Sequence, residues 1–276
     1  MMPLVTLPDY DYYDLVNLDH EFAQVLVSWW KVMPGWYGGT VWYDLMKRNN
    51  ATLNNVAIPY SSTSGMVLGS TRPGGDGEMR FDGTDDYGRS PWAASITSAI
   101  FTIACWATLR SLTNCRFYDF QDASSSFQLV YNTSLSLIRT KHSQWQSADT
   151  STGWFTPTTN TPSYIICQVD SGSSTVRLWL NGVEQTGTAA TTVTASTTRN
   201  TVTLGARGDV LGFFPGSLDN LMFIRGVVDA VALYQSSLLG HPGLLRRRVY
   251  RYISIPSGAV TPPKRIIGGG LLPMVV

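Results

Sequence analysis

Catalysis needs side chains of the right type at the right spacing, and this sequence spreads them thinly. Cleaving a glycosidic bond takes two carboxylates about 5–9 Å apart. On a strand that reads as two acids two residues apart on one face. None of the glutamates, Glu21, Glu78 and Glu184, opens a Glu-x-Asp or Glu-x-Glu pair. Asp9 and Asp11 are so spaced, but in the N-terminal stretch. The histidines His20, His142 and His241 lie outside any Gly-x-Ser-x-Gly context. No His-Glu-x-x-His, Cys-x-x-Cys or phosphate-loop pattern occurs. The expectation is a protein that is not an enzyme. Recognition remains open. Trp145, Trp154 and Phe155 stand in KHSQWQSADTSTGWF, a polar stretch where a core is hard to place. They could form a ligand-binding platform for a sugar; a cross-strand aromatic pair or a contact between subunits accounts for them as well.

The composition sets the frame for any such site. Hydrophobic residues make up 43% of the 276, enough for a sizeable core, and charged residues only 14%, against about 25% in an average soluble domain. Thr, Ser, Asn and Gly fill the difference. This suits a β-rich surface exposed outside a cell or on a particle, and equally the ordinary Thr and Ser content of β-proteins. A net charge of +1 supplies no global field for nucleic acid. Cys105, Cys115 and Cys167 are odd in number and sit in apolar β-type runs, so they read as small buried hydrophobes rather than a disulfide framework. The opening MMPLVTLPDYDYYD lacks the basic and apolar regions of a secretory signal, and no apolar run reaches the ~18 residues of a membrane span. Synthesis in a reducing cytoplasm without a signal peptide is expected, with no membrane insertion.

From residue 79 onward, short apolar runs recur at strand length, punctuated by Gly, Asn, Asp and Ser. That spacing marks an all-β sandwich or barrel. Asn181-Gly182 between TVRLWL and VEQTG is a two-residue hairpin signal. Residues 21–32 read as a helical turn running into a strand, 51–75 as mostly loop, and VDAVALYQSSLLG as a helix after the last strand. Trp106, Trp179, Phe101 and Leu178 are expected to fill the ~10 Å gap between two sheets. The chain divides into an N-terminal arm (1–23), a sandwich (24–240) and a basic Pro/Gly-rich tail (241–276).

An ordered set of motifs carries a family resemblance: FDGTDDY (81–87), FTIACWA (101–107), VRLWLNGVEQ (176–185), LGAR (204–207) and FPGSLDNLMFIRGVV (214–228). Together with the upstream Trp-strand, Gly-turn and Tyr-Asp-Leu segment, the set resembles the laminin-G-like, concanavalin A-like jelly roll over roughly 24–235. The resemblance implies a two-sheet antiparallel jelly-roll sandwich. It also implies, as the one cofactor to consider, a structural Ca2+ held by Asp44, Asp82 and Asp219; none is required. Many relatives carry a glutamate before the turn glycine, where this chain has Pro34 before Gly35, a departure that weakens the metal site.

More loosely, the chain is similar to virion-associated proteins of tailed bacteriophages. This resemblance implies a non-enzymatic virion structural protein, a capsid decoration or a head- or tail-associated module. Its partners would be other virion proteins or copies of itself. The assembly residues would be Tyr10, Tyr12 and Tyr13 in the acidic arm, and Arg246, Arg247, Arg248, Ile266, Ile267, Leu271 and Leu272 in the basic tail. The alternative is a carbohydrate- or receptor-binding, lectin-like module whose partner is a cell-surface glycan.

Overall fold

The computed structural model describes residues 16–32, 39–58, 60–68, 72, 75, 77–91, 100–121, 125–144, 152–170, 173, 175–186, 200–241 and 244–245. The chain opens with α1 (Glu21–Val25) and β1 (Leu26–Trp30), then β2 (Val41–Trp42), β3 (Ala51–Asn54), β4 (Gly65–Leu68), β5 (Gly77–Asp82) and β6 (Tyr87–Pro91). There follow β7 (Ile100–Leu109), β8 (Cys115–Gln121), β9 (Ser125–Asn132), β10 (Leu137–Gln144), β11 (Thr152–Phe155) and β12 (Ser163–Asp170). The series closes with β13 (Thr175–Leu180), β14 (Val183–Gln185), β15 (Thr201–Leu204), β16 (Pro215–Arg225) and α2 (Ala230–Leu238). The region expected to be mostly loop, 51–75, contributes β3 and β4. Both are four residues long, too short for a period-2 pattern to stand out.

The strands form two antiparallel sheets, the jelly-roll sandwich the sequence implies. The first runs β14-β13-β12-β7-β16-β5-β4, with β1 pairing the far half of β16. The second runs β11-β10-β9-β8-β15-β6-β3-β2. The β13–β14 hairpin turns on Asn181 and Gly182, both at positive φ (51° and 79°), the two-residue geometry that matches the twist of its strands. A Cβ on Gly182 would come within 2.5 Å of the Tyr234 ring, so the turn also seats α2. That helix starts where Asp229 caps it, accepting from the amides of Val231 and Ala232.

Strand parity decides what fills the sandwich. On β7, Phe101, Ile103 and Cys105 face inward. Phe101 stacks on Phe223 at 5.2 Å and meets Phe127 of the other sheet edge-on at 5.3 Å. Cys105 and Cys167 line the same interior, free and buried, and burial pushes the Cys105 thiol up to about 12. Leu178, opposite Cys167, is inside as expected. Trp106 and Trp179 are not. Trp106 follows Cys105 and therefore points the other way. It lies against Tyr164 (5.2 Å) and Tyr234 (6.4 Å) beneath α2. Trp179 pairs with Ile166, which pairs with Ala104 on that outer face. Both tryptophans are buried, but between the first sheet and its outer cover. Because both faces of this sheet are covered, β12 is buried through six consecutive residues.

Packed residues reach Val16 at one end and Leu244 at the other. Val16 bridges Leu245, and the Asn17 amide donates to the Leu244 carbonyl at 2.8 Å, so the chain enters and leaves the sandwich at one place.

Candidate functional site

The outward face of the second sheet gathers polar and aromatic side chains. On β6, Gly88 faces the core and Tyr87 and Arg89 face out, as the alternating burial shows. In register, Asn54 lies opposite Tyr87, and Thr52 opposite Arg89 on one side with Thr203 on the other. The next strand sets Asp119 opposite Thr203, and then Gln128 opposite Asp119. The β15–β16 loop folds back across these residues. Its bends are held by the Val210 amide on the Arg207 carbonyl (2.8 Å) and the Arg207 amide on the Leu211 carbonyl (2.9 Å).

Gly208 is the loop's closest approach to the sheet. Its amide donates to Asp119 Oδ2 at 2.8 Å, and its carbonyl accepts from Arg89 Nη2 at 2.8 Å. A Cβ there would fall 1.8 Å from Oε1 at the end of the Gln121 side chain, which would have to swing aside for any larger residue. Under the loop, Gln128 Nε2 donates to Asp119 Oδ2 at 3.0 Å. Asp119 is fully buried, and burial is the main reason that its carboxyl is pushed up to about 6, against the amide of Gly208, Arg116 and Gln128, which pull it down. Asp209 is bound to Arg207 through both carboxylate oxygens, and that pairing holds its carboxyl below the usual range. Where the loop returns to the sandwich, Phe214 turns inward against Phe117 at 4.7 Å. Its neighbour Phe213 lies beside Tyr87 with ring centroids 6.5 Å apart, tilted 41°, and both rings are half-buried.

Sequence reasoning missed this pair. The available signals were the alternation Tyr87-Gly88-Arg89 after a turn and the doubled Phe213-Phe214.

The aspartates proposed as metal ligands are not brought together as a set. Asp44 is fully buried and accepts four backbone amides: Trp29 (2.7 Å) and Met46 (2.9 Å) on Oδ1, Arg48 (3.1 Å) and Asn49 (2.9 Å) on Oδ2. A carboxylate ringed by N–H donors is already neutralised by dipoles that repel a cation. Asp219, on the outer face of the first sheet, is ion-paired with buried Arg72 and accepts from the Val32 amide. Asp82 does lie in a carboxylate group, with Asp85 and Asp86, their ligand oxygens within 4.8 Å of one another. Two of those side chains also serve the turn: Asp82 Oδ1 accepts from the Thr84 amide at 2.7 Å, and Asp86 Oδ2 from the Asp82 amide at 2.8 Å. Three carboxylates supply part of the six to eight oxygens calcium takes.

Of the proposed platform, Phe155 is buried, opposite the fully buried Ile138, which leaves it no ring face for a sugar. Its parity on β11 turns it to the core, where a polar flanking sequence had suggested a surface. Trp145 lies outside the described residues. Trp154 belongs to β11, but its side chain is not among those described. Tyr10, Tyr12, Tyr13, Arg246, Arg247, Arg248, Ile266, Ile267, Leu271 and Leu272 also fall outside the described residues.

Residues 82–237 match the family model described as the Concanavalin A-like lectin/glucanases superfamily, in its laminin-G form. That is more than half of the chain, and the chain belongs to this superfamily. A search of curated proteins finds no match. Among solved structures, the fold is similar to a sialidase of Trypanosoma rangeli in complex with the inhibitor DANA (TM-score 0.54, 13% identity, 77% of this chain and 33% of the sialidase). It is also similar to the binding domain of botulinum neurotoxin serotype D (TM-score 0.56, 11% identity, 84% of this chain and 55% of that one). The chain thus spans about a third of the sialidase and about half of the toxin domain, and at such identities the likeness is one of fold. Among the described residues, no helix is long and apolar enough to cross a membrane.

Proposed function

We propose that this chain is a non-enzymatic carbohydrate-binding module whose ligand lies on the outward face of the second sheet. The observation that carries the reading is the half-exposed Tyr87–Phe213 pair standing next to the exposed Thr52 and the half-buried Asn54. Aromatic faces with adjacent hydroxyl and amide groups suit a sugar, which presents C–H surface and hydroxyls together. The superfamily description, which joins lectins and glucanases, supports binding of saccharides. Binding without cleavage is supported by the state of the carboxylates on this face: Asp119 is sealed beneath Gly208, and Asp209 is tied to Arg207. Neither is presented, as a hydrolytic pair must be, on either side of a glycosidic bond.

Calorimetric titration with saccharides selected on a glycan array tests this. Tyr87→Ala and Phe213→Ala are each expected to weaken binding about tenfold, the equivalent of ~1.4 kcal/mol for a lost aromatic contact. Unchanged affinity in both folded variants would remove the face from consideration.

A second reading seats the same sandwich on a virion, as a decoration or a head- or tail-associated module, attached through its ends to other virion proteins or to copies of itself. What favours it is the Val16–Leu245 bridge, which lets both ends reach one anchoring point. If it holds, the full chain sediments with an intact particle, and a chain lacking 250–276 stays folded and no longer does so. A truncated chain that still co-sediments defeats it.

A further inference from the structure

The character of the saccharide can be read from the guanidinium beside the aromatic pair. Arg89 is exposed on the outward face, two residues from Tyr87 on the same side of β6. It makes no ion pair among the described residues; its hydrogen bond is the one from Nη2 to the Gly208 carbonyl at 2.8 Å. Gly208 is also gripped from below through its amide by Asp119. The acceptor that orients Arg89 is therefore fixed at both its N–H and its C=O. An arginine held this way loses less side-chain entropy on binding than a free one, and its remaining N–H donors keep the planar fork that matches a carboxylate.

The local charges agree. The two described carboxylates of this face, Asp119 and Asp209, are engaged elsewhere and do not compete for Arg89. Arg207 and Arg116 lie close enough for Arg207 to help lower the Arg116 guanidinium, after burial. Asp82, Asp85 and Asp86 gather in the turn before Tyr87, so the counter-charge that Arg89 offers is local to the Gly208 end of the face.

We propose that the ligand of this face is an acidic saccharide, whose carboxylate is taken by the Arg89 fork while its ring lies on Tyr87 and Phe213. This rests on the reading that the face binds saccharides. A neutral sugar would leave the guanidinium facing solvent with no counter-charge. An acidic one supplies the planar anion and the ring together.

The test uses matched pairs, an oligogalacturonate against its methyl ester and sialyllactose against lactose, with dextran sulfate as a separate arm. The full-length protein is expected to prefer the free acid in at least one pair by tenfold or more. In Arg89→Gln, with its melting temperature unchanged, the acid-to-neutral ratio should fall to near one, and Arg89→Lys should restore only part of it. Equal affinity for acid and neutral partners, or a ratio that Arg89→Gln leaves intact, overturns the proposal while sparing the saccharide-binding reading. Dextran sulfate bound as tightly as the carboxylate saccharides overturns the assignment of a carboxylate. No binding of any saccharide overturns both.

Discussion

Replacing Asp44 with alanine is expected to cost the domain about 4 kcal/mol or more, since each buried donor left unsatisfied costs ~1–3 kcal/mol. Four amides at 2.7–3.1 Å converge on this carboxylate, from β1 and from the turn that follows Asp44 itself. Its own amide donates to Asn50 Oδ1 at 2.9 Å. Asp44 thus fastens the turn 44–50 to β1, and truncation strips the acceptor from all four donors at once. The Met46 and Arg48 amides are only part-buried and water can reach them, which is why the expected figure sits at the low end of the summed range. Asp44→Asn should lose less: one oxygen can still accept two amides, while its NH2 meets the other two as donor against donor. Urea denaturation with an unchanged m-value reads both losses. They should be the same in chelator as in millimolar calcium, because the side chain acts here as a clasp for backbone amides. A loss below ~1 kcal/mol for the alanine variant would show that solvent replaces the carboxylate freely, contrary to its burial.

Trp106→Ala is expected to cost ~3–5 kcal/mol. Its location predicts where the damage falls. The indole fills the space between the first sheet and α2, touching Tyr164, Tyr234 and, at 5.5 Å, the Arg72 guanidinium. A cavity there undermines the helix first. Amide exchange should speed up in 230–238 before it does in β8 and β9, whose contacts are with the sandwich interior. Uniform acceleration across both sheets would mean that the ring supports the sandwich gap instead. Trp106→Phe keeps the contact with Tyr164 and should lose markedly less.

The same residue shows what strand patterns reveal and what they hide. The alternation Phe101, Ile103, Cys105 was visible in the sequence, and it already required Trp106 to face the opposite way. Size suggested a gap-filling residue, but the outer face of this sheet is also covered, by a helix that joins it only in three dimensions. The hairpin turn was legible because its chemistry is local: Asn181-Gly182 needs no distant partner. The carboxylates were not. Asp219 resembles a metal ligand until Arg72, 147 residues away, is folded against it, and nothing near Asp44 in sequence announces that its own following amides turn back to surround it. The candidate binding face is harder still to read, since Tyr87 and Phe213 meet only because the β15–β16 loop reverses over Asp119. The amide and carbonyl of Gly208 hold it there, and one residue among 276 gives no hint of that role.

The bridge between Val16 and Leu245 has a mechanical consequence. Tension drawn through those two residues pulls at right angles to a short antiparallel contact, so its hydrogen bonds load one after another, like a zipper. The long β7–β16 and β7–β12 pairings lie behind this contact and would bear load only after it opens. Under a modest pull the ends should therefore peel apart while the sandwich stays folded, leaving Tyr87 and Arg89 in place on a module that swings from a single point. Pulled that way, the proposed binding face would tilt as one rigid body with its sheet.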